Sequence, residues 1–265
     1  MTIHYDLTNP EHAYLLGFLL GDGTLSRGPG RKGKLSVELH IRDAAHLRRL
    51  QTLLPGSRYT ERCRTTNFSQ GEYVTAILTC CRLDVREALV AVGMPEGRKD
   101  RVATPPSGPL SDRDFARGLV DADGSVGWTA QGLPFVSLVS GSQAIAQWWC
   151  GLIFERTGLR RTCRPNARDG AANVMVTSEA AVSLSQWLYQ PGDLALRRKA
   201  DKAGELRTWT RPTGMAVRPK GRPWTPEEDA LLAEGTLTHR DMATRLGRTP
   251  QAINLRAWRL RNGLT

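Results

Sequence analysis

The chain has 265 residues, 40% hydrophobic and 24% charged, a composition that excludes wholesale disorder and fits one large or two modest domains. Its apolar runs are short and broken by Gly or polar residues, far below the ~20 that cross a bilayer, so no membrane partner is expected. Lys plus Arg number 37 against 26 Asp plus Glu, a net charge of +11. Such an excess points to a polyanionic partner.

The opening MTIHYDLTNPEH has no charged segment ahead of an apolar one, and no signal peptide is expected. The five cysteines (Cys63, Cys80, Cys81, Cys150 and Cys163) form no CxxC pair. Neither a disulfide framework nor a zinc ribbon is supported, and a reducing cytoplasm fits best. Only six of the 37 basic residues are Lys; Arg is the residue that grips phosphate bidentately and reaches the guanine edge. Residues 1–110 carry 15 basic and 11 acidic groups, 111–189 carry 7 and 7, and 190–265 carry 15 and 8, so the C-terminal part is the most basic.

Two segments about 100 residues apart share a pattern: AYLLGFLLGDGTL (13–25) and DFARGLVDADGSV (114–126). Each is an apolar helical run with an internal Gly, closed by Asp-Gly. Asn9-Pro10 opens the first and Ser111-Asp112-Arg113-Asp114 the second, both sound N-caps. KLSVELHIR (34–42) alternates strictly, with Leu35, Val37, Leu39 and Ile41 on one side and Lys34, Ser36, Glu38, His40 and Arg42 on the other, the pattern of a half-buried strand. A helix over 44–54, strands around RYTERCRTT and EYVTAILTC, and a helix near 84–92 follow.

The second unit repeats that order. Strands are predicted near 126–130 and 134–140, a helix at 143–157, strands near 160–167 and 173–177, and a helix at 179–189. Residues 98–110 read as a Pro/Gly-rich linker between a first repeat (1–97) and a second (111–207), whose end, 190–207, is predicted as a basic helix. Residues 208–222 have linker composition. From Trp224 onward three short helices are punctuated by Thr225-Pro226-Glu227-Glu228, by Thr238 with Gly247, and by Thr249-Pro250, the arithmetic of a helix-turn-helix over 223–265.

Asp22 and Asp123 end the two equivalent helices, where the macrodipole is unfavourable to a carboxylate. If the helices pack side by side, Gly17 and Gly118 let the backbones approach and the two acids meet. They then repel unless a divalent cation lies between them. Mg²⁺ suits such hard oxygen ligands together with substrate phosphate, and the matching chemistry is metal-assisted phosphodiester hydrolysis.

LLGFLLGDG (15–23) and ARGLVDADG (116–124) resemble the motif of the LAGLIDADG homing endonucleases, and the likeness extends over both repeats, roughly residues 9–200. The resemblance implies an α+β fold of two pseudo-symmetric αββαββα halves forming a DNA-binding saddle. The acidic residue at the eighth motif position, here Asp22 and Asp123, would bind two or three shared Mg²⁺ ions. Two motifs in one chain look like the monomeric branch, with double-stranded DNA as partner and no obligate protein partner. One departure is Leu20, where the second motif has Asp121. The family also places a basic or amide side chain near the end of the second strand to organise the attacking water; the matching positions are Arg42 and, in a stretch without a cation, Gln143.

DNA readout is expected from the polar strand faces: Lys34, Ser36, Glu38 and His40; Arg58, Thr60, Arg62 and Arg64; and in the second half Arg160, Thr162, Arg164, Asn166 and Arg168. The aromatics Trp148, Trp149 and Phe154 are expected in the core. The C-terminal module resembles Myb/SANT-like helix-turn-helix domains through WTPEEDALL (224–232) and LTHRDMATRLGRTPQAI (237–253), with Trp224, Leu231, Ile253 and Trp258 as its core. Its candidate DNA contacts are Gln251, Asn254, Arg256, Arg259 and Arg261. Arg222 sits in Pro219–Pro223, which resembles an AT-hook core. Two other readings stay open: a transcription regulator built on a degenerate repeat of this kind, and an RNA maturase assisting intron splicing.

Overall fold

Asn9 starts the first helix, α1 (Pro10–Asp22), by accepting hydrogen bonds from the backbone N–H groups of Glu11 and His12, with Pro10 in the first turn. In this computed structural model, which describes residues 3–28, 32–65, 72–99, 101–215 and 224–262, α1 is buried on every side from Ala13 to Leu20. Its counterpart α4 (Asp112–Asp123) is buried continuously from Asp114 to Asp121. From Ala13 to Leu20 α1 is apolar all round, as a helix at the centre of a domain should be, and α4, which buries Asp114, Arg117 and Asp121 among its apolar residues, packs on it there. A Cβ on Gly17 would stand 2.2 Å from the Phe115 carbonyl oxygen, and one on Gly118 would stand 2.3 Å from that of Tyr14. The two glycines mark the crossing point, and only their missing side chains let the backbones touch.

Each helix leads into an antiparallel sheet. After α1 come β1 (Gly23–Leu25), β2 (Leu35–His40), a 3₁₀ turn (Ile41–Asp43), α2 (Ala44–Leu53), β3 (Arg58–Thr65), β4 (Glu72–Cys80) and α3 (Leu83–Ala91). The sheet order is β1-β2-β4-β3, so β4 lies between β2 and β3. Leu35 and Val37 face the core, while Ser36, Glu38 and His40 take the other face with Arg58, Thr60 and Arg62. Arg64 continues that register in the backbone of β3.

After α4 come β5 (Gly124–Trp128), β6 (Pro134–Ser140), α5 (Gln143–Thr157), β7 (Ala172–Thr177), α6 (Ser178–Leu188) and α7 (Arg197–Leu206), with sheet order β5-β6-β7. The strand predicted over 160–167 is absent from the described residues; a single bridge joins Pro165 to Ala172. Pro165 has no N–H to give a ladder, and Asn166 folds the chain back by accepting from the N–H groups of Arg168 and Asp169. Arg160, Thr162, Arg164, Asn166 and Arg168 are therefore exposed on an irregular segment and share no strand face.

Residues 190–207 are also not one helix. They run extended past Pro191-Gly192 to Leu196, because Arg117 captures the Leu188 and Leu194 carbonyls while Asp121 accepts the Leu196 N–H. The stretch expected as a plain linker, 98–110, sends Ala103 into the core, where its carbonyl accepts from Ser142. Trp149 is fully buried and Trp148 packs edge-on against Phe115, whereas Phe154 is exposed beneath the Arg160 guanidinium.

Residues 1–211 form one compact unit and 212–265 a second. The second unit holds α8 (Pro226–Glu234), α9 (His239–Leu246) and α10 (Pro250–Arg261), each opened by a Thr whose side chain caps the first turn. Gly247 takes φ 59 between α9 and α10, the left-handed conformation that a tight turn requires. Its core is Met242, Ala243 and Ile253 with Trp224 and Leu231 against them. Trp258, expected in that core, is 50% exposed. The core closes without it because Arg248 lies 3.9 Å over the Trp224 ring and pairs with Glu228.

Gly→Ala substitutions separate the helix crossing from ordinary helix positions. Alanine in a helix interior gains about 1 kcal/mol over glycine from propensity alone. Gly151→Ala in α5, whose Cβ meets nothing within 4 Å, should show that gain. Gly17→Ala and Gly118→Ala should instead lose about 2–3 kcal/mol through overpacking, measured as a lower urea midpoint at unchanged slope.

Candidate active site

Crossing at Gly17 and Gly118 makes α1 and α4 end side by side. A Cβ on Gly21 would stand 2.2 Å from the Ala122 Cβ and 3.0 Å from Asp123 Oδ2, so the Asp123 carboxylate lies against the last turn of α1, one residue from Asp22. Both acids lie at the negative end of a helix, Asp22 half-buried and Asp123 exposed to solvent. Partial desolvation raises the pKa of each above the usual carboxylate value, and the Asp22 charge raises Asp123 further. Among the described residues, neither has a hydrogen bond or ion pair to the protein.

The other buried carboxylates nearby are all satisfied. Asp121 accepts from the Tyr14 and Tyr189 hydroxyls and from the Leu196 N–H, at 2.6–2.7 Å. Asp114 pairs with Arg117 and Arg113, and Asp43 with Arg198. Asp22 and Asp123 thus stand apart as partially accessible, unpaired anions.

Two lysines frame them. Lys99 donates from Nζ to the Leu19 and Gly21 carbonyls at the end of α1. Lys199 donates to the carbonyls of Val120, Asp121 and Gly124 at 2.7–2.8 Å, capping α4 in the same way. Cations belong at helix C-termini, and here all their bonds go to backbone oxygen, leaving both carboxylates unpaired. Burial lowers both ammonium pKa values to about 8, against the opposing pull of Asp123 and Asp22 on Lys99 and chiefly of Asp121 on Lys199. Both are cationic at pH 7. Neither appears among the residues expected from the sequence, yet a signal was there: Arg98-Lys99 and Arg198-Lys199 form a repeated doublet at matched distances behind the two acids.

The surroundings differ between halves. On the Asp123 side a cavity of about 240 Å³ is lined by Gly21, Lys99, Asp123, Val139, Ser140 and Ser142, among others. The field at Asp22 carries in addition the Arg198 and Asp43 charges. The departure at Leu20 and Asp121 has a structural cause. Tyr14 OH donates to Asp121 and is 3.1 Å from His46 Nε2, so the imidazole presents its N–H to that hydroxyl. Burial pushes the pKa of His46 down to about 4, which keeps it neutral. Asp121 is an anchor for the 189–196 segment through Tyr189 and Leu196.

Of the other expected residues, Arg42 is exposed on the turn after β2, 3.9 Å from Asp43. Gln143 opens α5 with its amide on Cys163, away from the cavity-lining Ser140 and Ser142. Lys34 is exposed just before β2, and His40 uses Nδ1 to accept the Arg42 N–H. In the C-terminal unit Gln251, Arg259 and Arg261 are exposed, while Asn254 contacts His239. Arg256 is committed internally to Asp229, with Nη2 and Oδ2 2.5 Å apart, which withdraws it from base contact. Arg222 and the whole Pro219–Pro223 segment lie outside the described residues.

No protein-family profile and no curated protein matches the chain. Solved structures do. The homing endonuclease I-WcaI, bound to its DNA recognition sequence, is similar at TM-score 0.53 and 13% identity, over 75% of this chain and 88% of that one. The chain carries the LAGLIDADG fold. The LAGLIDADG meganuclease I-CpaMI, bound to uncleaved DNA, aligns at TM-score 0.48 and 11% identity over 75% of this chain and 90% of its own. Full-length WhiA (DUF199) from Thermatoga maritima aligns at 0.47 and 12%, over 97% and 92%. At these identities the likeness is one of fold.

The raised carboxylate pKa values carry a sign. The native state still holds protons above pH 3.8 that the unfolded state has released, so this pair lowers stability as pH rises through that window and remains unfavourable at pH 7. Without divalent ions, Asp22→Asn or Asp123→Asn should therefore stabilise the fold by roughly 0.5–1 kcal/mol at pH 7, read by thermal or urea unfolding. A loss of stability would mean that the protein itself satisfies these acids.

Proposed function

We propose that the chain is a divalent-metal-dependent, site-specific double-strand DNA endonuclease of the homing type, acting as a monomer. The observation that carries this reading is the pair of unpaired, solvent-accessible carboxylates at the ends of two helices related by the internal repeat. Two hard oxygen donors that repel each other, beside backbone carbonyls, fit Mg²⁺ in number and chemistry. Among the described residues no cluster of three His, Cys, Asp or Glu competes with them. The bound ions would neutralise the scissile phosphate and activate water for in-line attack.

The chain's own residues set up the rest. Asp22 and Asp123 are the residues that would hold the ions at the helix ends. Lys99 and Lys199 keep positive charge beside the phosphate's path while fixing both helix termini. Arg42, exposed beyond β2, is the first half's residue for orienting water. In the second half Gln143 is turned to Cys163, so the nearest cation on that side is Lys99. The polar face of the first sheet supplies base and phosphate contacts through Ser36, Glu38, His40, Arg58, Thr60 and Arg62, with Lys34 and Arg64 continuing it. The exposed arginines of 158–171 contact phosphate. The helical unit at 212–265 adds contacts through Gln251, Arg259 and Arg261. I-WcaI, which shares the fold, is bound to its recognition sequence. A regulator that only bound DNA would gain nothing from two unpaired acids facing phosphate.

Cleavage tests this directly. A plasmid carrying a selected site should be linearised in Mg²⁺ and left intact in EDTA. Asp22→Asn and Asp123→Asn should each reduce cutting at least about a hundredfold while duplex binding is kept or tightened. Because the halves differ in their cations, a nicked intermediate should accumulate before the linear product. Full cutting by either variant would refute a shared site.

Removal of residues 212–265 tests the role of the second unit. Binding should weaken, and the slope of log K against log salt should become shallower by about 2–4 as phosphate contacts are lost. Metal-dependent cutting should persist. An unchanged slope would assign that unit to something other than DNA.

A further inference from the structure

The outward faces of the two sheets differ in chemistry. On the first, β4 brings the β2 and β3 side chains into rows: Ser36, Thr79 and Arg58; Glu38, Ile77 and Thr60; His40, Thr75 and Arg62. On the second, the outward positions are Ser125, Phe135, Ser137, Val139, Asn173 and Met175, with Gly127 and Thr177 at the ends, and none is charged. Val139 is 41% and Met175 40% exposed, and Asn173 is exposed as the register partner of Val139.

Two observations select the occupant of this face. Val139 lines the cavity that Asp123 and Lys99 also line, so the face runs on from the candidate site. Beside β7, the segment tied on by the Pro165–Ala172 bridge exposes Arg160, Arg161, Arg164 and Arg168. An uncharged, partly apolar floor with a basic rim suits a polyanion that carries apolar groups of its own. In a DNA major groove that group is the thymine C5-methyl.

We propose that the half-site beneath the second sheet is A·T-rich and is read through thymine methyls by Val139 and Met175, with Asn173 on adenine. The half-site beneath the first sheet is read by Arg58 and Arg62 on guanine. This rests on the nuclease reading above and extends it to sequence preference.

The test uses the full chain. Cleaved sequences are selected from a randomised duplex library in Mg²⁺. A selected site is then resynthesised with deoxyuridine for thymidine in one half at a time, and binding is measured in EDTA. Loss of the methyls should weaken binding about fourfold for each contacted thymine in one half-site, with less than a twofold effect in the other. The double variant Val139→Ala/Met175→Ala should lose that sensitivity in the same binding measurement, with the methyl-free and methyl-bearing sites bound equally.

A selected site indifferent to deoxyuridine, or a double variant that keeps the sensitivity, overturns this proposal and leaves the nuclease reading standing. So does a double variant that changes only the oligomeric state, which would give the face to a second copy. Failure to select any sequence overturns both.

Discussion

Two carboxylates that no protein group neutralises sit where two buried helices end, and the rest of residues 1–211 is arranged to keep them there. Gly17 and Gly118 set how closely α1 and α4 approach, and that approach brings the Asp123 carboxylate against Gly21. Each acid lies at the unfavourable end of a helix dipole and each raises the local electrostatic energy. The fold tolerates this because Lys99 and Lys199 take the helix-end carbonyls as ligands and bring positive charge near without forming ion pairs with the acids. Retained repulsion of this kind is what the divalent-cation site proposed above requires, and it costs stability locally.

The two halves share a plan but have diverged. Asp121 holds the extended 189–196 segment through Tyr189 and Leu196, whereas the matching Leu20 is plain core. Before α2 the chain places Asp43, paired with Arg198; before α5 it places Ser142, bonded to the Ala103 carbonyl. One sheet turns a hydrogen-bonding, arginine-bearing face outward and the other an uncharged one. Such asymmetry is compatible with a single chain meeting two unlike half-sites, which a symmetric dimer cannot do.

Much of this was legible in the sequence where local rules act alone. Periodicity, caps and the repeated Asp-Gly placed α1, α4, β2 and α5 within a residue or two, and the pairing of Asp22 with Asp123 followed from the repeat. What escaped depends on contacts between distant segments. The predicted strand at 160–167 shows alternating Arg and polar residues, but Pro165 and the Asn166 turn override alternation. The break in 190–207 is imposed by Arg117 and Asp121, whose targets are 71–77 positions away. Lys99 lay in a stretch whose Pro and Gly content reads as linker, so its burial at the end of α1 was invisible locally. The withdrawal of Arg256 likewise needed the helix packing that presents Asp229 to it.

Anomalous diffraction from crystals grown with Mn²⁺ addresses the carboxylate pair most directly. The arrangement described here predicts a peak within metal–oxygen bonding distance, about 2.0–2.2 Å, of oxygens from both Asp22 and Asp123, absent from Asp22→Asn/Asp123→Asn crystals. Ions bound elsewhere, or the two carboxylates turned apart and each paired with a protein cation, would contradict it.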